Sequence, residues 1–92
     1  MKLRLETSRL LLYRAAWMVD QGTPAVLESA LTKLSLSENF LESSLDTIRI
    51  HGGNGYLGGI GTERNLRDSV GGIIYGGTSD IQRVTIAKML GL

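Results

Sequence analysis

The residues with types and spacing suited to chemistry lie between Ile50 and Arg83, IHGGNGYLGGIGTERNLRDSVGGIIYGGTSDIQR. Two glycine-rich turns, His51–Gly59 and Gly76–Gly77, each lead into a helix-like segment. Glycine supplies backbone freedom at an entropic cost, and a helix start leaves N–H groups without intrahelical acceptors. Together these suit an anion such as a phosphate. The second turn makes the stronger case, because Gly77-Thr78-Ser79-Asp80 adds two hydroxyls at a helix start. The first turn, taken by itself, reads as a tight interhelix connection. Gly52-Gly53-Asn54-Gly55 has no strand before it and the wrong spacing for a Rossmann fingerprint, and no Gly-Lys-Ser/Thr follows to make a P-loop.

Other reactive side chains carry less. His51 is the sole histidine; it has no nucleophile to activate and cannot build a zinc site alone. Glu63, Arg64, Arg67 and Asp68 read as a solvated helix face with intrahelical pairs. Tyr13 and Trp17 read as core or subunit contact. The chain has no cysteine, which excludes a disulfide scaffold and a thiolate metal centre, and no metal site is expected. Acids and bases nearly balance, for a formal net charge of +1, so nothing electrostatic favours nucleic acid or an anionic membrane. No stretch is long and apolar enough to span a bilayer. Lys2, Arg4, Glu6 and Arg9 interrupt the one early apolar run, so no signal peptide is expected and the cytoplasm is the expected location.

The elements that must position those turns are helices. Of 12 glycines, Gly22 alone lies in residues 1–50, so the first half is built for helix and the second for turns. Residues 2–20 predict a helix with Leu3, Leu10, Tyr13 and Trp17 on one stripe, Leu11 and Met18 beside it, and Gly22 just past its end. From Leu10 to Val19 only Arg14 is charged, a face wide enough to suggest burial on more than one side. Thr23 as N-cap and Pro24 as first residue open a second helix running to about Ile50. Its apolar stripe is Leu27, Leu31, Leu34, Leu41, Leu45 and Ile48, with Glu38 as a solvated or paired rim residue. Ser29, Lys33, Ser37, Ser44 and Thr47 form its polar face, and the two long helices should pack antiparallel.

Residues 51–61 predict a loop, and Thr62 caps a short third helix with Glu63 in its first turn. Gly71 and Gly72 weaken that helix, and Ile73, Ile74 and Tyr75 predict a buried linker. Ser79-Asp80-Ile81-Gln82 is a capping-box pattern opening a last helix to about Leu90, with Ile81, Val84, Ile86, Ala87 and Leu90 apolar. No strand alternation is sustained. The expected fold is all-α, an antiparallel helical bundle, with residues 1–92 as a single domain.

The same stretch resembles the C-terminal region of the flavin-dependent acyl-CoA dehydrogenases. Arg49-Ile50-His51-Gly52-Gly53-Asn54-Gly55-Tyr56, then Glu63-Arg64 and Arg67-Asp68, then Tyr75-Gly76-Gly77-Thr78-Ser79-Asp80-Ile81-Gln82-Arg83 follow that family's pattern without a gap. Arg14-Ala15-Ala16-Trp17 with Asp20-Gln21-Gly22 resembles its second C-terminal helix. The resemblance implies a partial C-terminal bundle lacking its first helix, contributing to subunit contacts. It implies FAD contacts for Arg49, Gly52 and Gly53 toward a neighbouring subunit, and for Thr78, Ser79 and Asp80. It also implies that Gly76 and Gly77 border an acyl thioester. The implied activity is α,β-dehydrogenation of that thioester, and the implied partner is a second copy or a larger subunit carrying the missing domains.

Three departures qualify that expectation. Gly76 stands where many members carry the catalytic Glu, so this chain supplies no base there and is expected to be inactive alone. Members of the isovaleryl-CoA type place the Glu on an earlier helix, which glycine here suits. Arg49 replaces the usual Gln, although arginine can still donate to a pyrophosphate. The length leaves most of a flavin and substrate site outside these 92 residues. The alternative is a non-catalytic helical oligomerisation module derived from the same fold.

Overall fold

A computed structural model describes all 92 residues, and every regular element in it is helical: α1 (Lys2–Asp20), α2 (Val26–His51), α3 (Gly53–Tyr56), α4 (Thr62–Gly72) and α5 (Ser79–Met89). The all-α expectation therefore holds. The chain is elongated, 46 × 23 × 17 Å, because α2 has 26 residues and is about 39 Å long at the α-helical rise. α2 is the hub: α1, α3, α4 and α5 each pack on it, and α1 touches none of the others. No helix is long and apolar enough to cross a membrane.

α1 lies antiparallel on α2, as the short connection demands. Arg4 pairs with Asp46 at 2.6 Å, Asn39 Nδ2 donates to Ser8 Oγ, Thr32 Oγ1 donates to the Leu11 carbonyl, and Arg14 reaches Glu28. The Arg4 guanidinium, hydrogen-bonded to Asp46, holds that carboxyl below the usual carboxylate range against the opposing effect of desolvation, with Arg49 helping from the other side. α1 ends in a Schellman closure, with Gly22 N–H on Val19 O and Thr23 N–H on Met18 O, and Gly22 at φ +70.

The inward face of α1 differs from the expected one. Ala15 is buried and Arg4, Ser8, Leu11 and Met18 are half-buried, whereas Leu3, Leu10, Tyr13 and Trp17 are 75%, 69%, 63% and 62% exposed. α2 departs less: of its expected apolar stripe only Leu31 is exposed, and Leu27, Leu34, Leu41, Leu45 and Ile48 are half-buried. Ala30, Thr32 and Ser44 are its buried residues, and Ser44 belonged to the expected polar face. Small residues win the contact because they let helix backbones approach closely. The buried apolar residues of the whole chain are only Ala15, Ala25 and Ala30, so the large apolar side chains lie at the rims and outside.

Helix starts also move. α2 begins at Val26 behind Ala25, not at Thr23-Pro24. Thr23 is consumed in closing α1, and Pro24 restrains it from helical backbone. α4 is preceded by Gly61 at φ +87, and Thr62 is its first residue rather than its cap. The expected loop 51–61 contains the helical turn α3. α5 starts one residue earlier in the cap frame: Thr78 is the N-cap, its Oγ1 accepting from Ile81 N–H, so the Ser79-led capping box does not form. The run Ile73–Tyr75 is a turn, and Ile74 and Tyr75 are exposed rather than buried.

Candidate functional site

The two glycine turns occupy different levels of α2. The first follows its C-terminus. Arg49 is largely exposed and pairs with Asp46 at 3.2 Å. Gly52 adopts φ 59, ψ −138, a backbone open to glycine alone, and reverses the chain. A Cβ added at Gly52 or Gly53 would meet nothing within 4 Å, so this backbone faces open space. Two residues on, Gly55 is buried: a Cβ there would lie 2.9 Å from His51 Cβ and 3.1 Å from Ile48 O. Thr62 Oγ1 then donates to Gly55 O at 2.7 Å, tying α4 to the turn. The His51 contact is made by its Cβ, and the residue is otherwise exposed.

The second turn sits beside the N-terminal part of α2, at the level of Lys33. Gly76 and Gly77 are at φ +64 and +90, and Lys33 Nζ donates to Gly77 O at 2.6 Å and to Gly72 O at 2.9 Å. Gln82 Nε2 reaches back to Gly76 O. Ser79 N–H closes on Ile73 O and Ile81 N–H on Thr78 Oγ1, which leaves Asp80 N–H without an acceptor in the chain. Ser79 Oγ is buried and has no hydrogen-bond partner. Asp80 is exposed and pairs with Arg83, which also reaches Glu38 at 2.9 Å; Glu38 is thus the paired rim residue expected of it.

Gly76, Gly77, Thr78, Ser79 and Asp80 are therefore gathered in one place, and Arg49, Gly52 and Gly53 in another. Lys33 and Arg49 lie sixteen residues apart on α2, about 24 Å at the α-helical rise. Two grooves flank the second turn. One, of about 690 Å³, lies between α1 and α2 beside Gly72 and Tyr75. The other, about 520 Å³, runs from Val19 and Ala25 to Gly76 and Thr85. Lys33 lines both.

The acid–base face of α4 does not form intrahelical pairs. Arg64, Arg67 and Asp68 are exposed, and Glu63 is half-buried with Oε2 unpartnered and Oε1 beside Gly58. Sequence reasoning missed the roles of Lys33 and Thr62. Each acts on a backbone carbonyl, 39 and 44 residues away for Lys33 and 7 for Thr62, and no local pattern marks such a bond.

Comparison with known proteins bears on this arrangement. The acyl-CoA dehydrogenase C-terminal domain profile matches residues 1–91. An L-prolyl-[peptidyl-carrier protein] dehydrogenase of Pseudomonas fluorescens is 55% identical over 92 residues, which are all of this chain and 24% of that protein. The crystal structure of the prolyl acyl carrier protein oxidase AnaB superposes on the whole chain with TM-score 0.97 at 49% identity, over 24% of its own length. The FAD complex of PigA does so with TM-score 0.91 at 45% identity, again over 24% of its length. The chain thus spans about a quarter of the relatives it matches. It belongs to the acyl-CoA dehydrogenase family and corresponds to the C-terminal helical domain.

Proposed function

We propose that this member of the family supplies the C-terminal part of an FAD-dependent acyl-thioester dehydrogenase, with residues 1–92 forming one partial domain. The observation that carries the reading is the start of α5. There a buried Ser79 hydroxyl has no partner beside a free Asp80 N–H, a pair suited to a polar portion of FAD. The open backbone at Gly52 and Gly53 fits close approach by a second such portion, with Arg49 as an exposed cation beside it. Their separation along α2 favours contributions to two cofactor ends or two cofactors, the first turn serving a neighbouring subunit.

In the proposed reaction a carboxylate takes the proton from the carbon next to the thioester carbonyl. Bound FAD supplies the acceptor for the hydride that leaves the following carbon. Gly76 has no side chain, so the base comes from elsewhere in the assembled enzyme; Gly76 and Gly77 border the acyl group through their backbone. Likeness to proteins that act on prolyl groups held by a carrier protein favours a carrier-bound prolyl thioester over acyl-CoA. The working form is a homo-oligomer, or this chain with a larger subunit that carries the missing domains, in the cytoplasm.

The second reading, a non-catalytic oligomerisation module, draws support from the outward stripe of Leu3, Leu10, Tyr13 and Trp17. One experiment separates the two: the visible spectrum and solution mass of the assembled protein with added FAD, followed by a prolyl-loaded carrier protein. Retained flavin that bleaches on adding the thioester supports the dehydrogenase. A defined oligomer that holds no flavin and bleaches nothing overturns it in favour of the module.

A further inference from the structure

We infer that Lys33 is the positioning residue for the α4–α5 turn, the α2 side chain that holds Gly76–Gly77 against α2 by bonding carbonyls on both sides of the turn, while Arg83–Glu38 joins α5 to α2 further along. The turn has little of its own to hold it. Ile73, Ile74 and Tyr75 donate back into α4, and Ser79 donates to Ile73 O, but the N–H groups of Gly76, Gly77 and Thr78 have no backbone acceptor. Both glycines sit in the left-handed region, where their freedom permits the shape without enforcing it. The Gly76 carbonyl takes a solvent-exposed bond from Gln82, which belongs to α5 itself and so moves with it.

Lys33 is different because it comes from another element. Its ammonium spans the turn, donating to Gly72 O on the near side and Gly77 O on the far side. Gly72 is the last residue of α4, so the cation also sits at the negative end of that helix. No carboxylate lies within ion-pair distance of Lys33, which leaves the two carbonyls as its partners. Because Lys33 lines both flanking grooves, its loss changes the walls of each at once. A neutral side chain could fill the space but would leave two carbonyls without a charged donor.

The consequence for flavin rests on the function proposed above; the consequence for the turn does not. The test compares Lys33→Met and Lys33→Arg with the unmodified protein in its assembled form. Hydrogen exchange is measured across residues 74–81, and flavin retention and visible circular dichroism are measured in parallel. Lys33→Met is expected to speed exchange at Ser79 and Ile81 about tenfold, as loss of a charge-assisted hydrogen bond implies. Exchange in α1 and in the C-terminal half of α2 should stay within about twofold. The flavin dichroism should change, and Lys33→Arg should restore most of both effects by returning a cation to the two carbonyls. Unchanged exchange at residues 74–81, or a rise spread evenly over all helices, overturns the inference. If Lys33→Met does not fold, Lys33→Gln, which keeps a donor and loses the charge, is held to the same pattern. A parent protein that holds no flavin sinks the functional reading alone, because the exchange comparison still decides the role of Lys33.

Discussion

The two glycine turns look alike as strings of residues and are held by different means. The first is fixed by close approach of backbone and short side chains. Gly55 presses on His51 and Ile48 where no Cβ fits, and Thr62 locks its carbonyl. The second is bridged by a long side chain, the Lys33 ammonium from α2, with the adjacent Thr78 hydroxyl capping α5. Within the first turn the contrast repeats over two residues: Gly53 has empty space where its Cβ would stand, and Gly55 has none. Glycine content therefore marks where the backbone can bend. Whether a given glycine is there for packing, for conformation or for a visitor depends on what stands opposite it.

Substitutions can break this contrast in order of size. Gly55→Ala should have the largest effect, about 1–3 kcal/mol of lost stability from overpacking, read as a lower denaturation midpoint; an unchanged midpoint would mean the first turn yields easily. Thr62→Val should cost about 1–3 kcal/mol by leaving a buried carbonyl without its donor, and the loss should fall on α3 and the start of α4 in hydrogen exchange. Thr78→Ala should cost about 1 kcal/mol through the lost cap, with faster exchange at Ile81 and the first turn unaffected. If both turns loosen together in either variant, they are not independent.

Gly53→Ala sharpens the comparison from the other side. Stability should be unchanged or raised by up to about 1 kcal/mol, since helical backbone and open space accept a methyl group. Flavin retention should nevertheless fall if that space is where the cofactor approaches. Equal retention in the parent and in Gly53→Ala would remove Gly53 from the proposed site.

The smallest effect expected concerns pH. Asp46 is held below its ordinary value in the folded chain, chiefly by the hydrogen bond from Arg4. Its contribution is therefore fully present above the unfolded value of about 4 and is lost as pH falls through the lower folded value. Acid titration of the unfolding midpoint should show this loss in the parent, and Asp46→Asn should flatten it. An identical acid profile in both would show that the pair contributes nothing.

How much was legible follows from the range of the interactions. The helices were legible, because periodicity and terminal residues act within a few positions: α1 was bounded to the residue, and Gly22 and Gly91 both close helices at positive φ. The cap frames slipped where a residue had a stronger distant use. Thr23 was drawn into closing α1, and Thr62 into bonding Gly55. Of the site residues, the sequence marked two turns, and only the fold set their distance, because they lie at different levels along α2.

From the sequence alone came the helical class, the antiparallel pairing of α1 and α2, and the motif string that marks the family. Choosing which face of each helix lies inside needed the tertiary structure. α1 carries two stripes at helical spacing, Leu3-Leu10-Tyr13-Trp17 and Arg4-Ser8-Leu11-Ala15-Met18, and both satisfy the periodicity. The second wins because the small, buried Ala15 permits close packing reinforced by the Arg4–Asp46 and Thr32–Leu11 bonds. The bulkier stripe remains outside. Periodicity fixes the angle between residues on a helix, and only the shape of the neighbour selects which angle faces in.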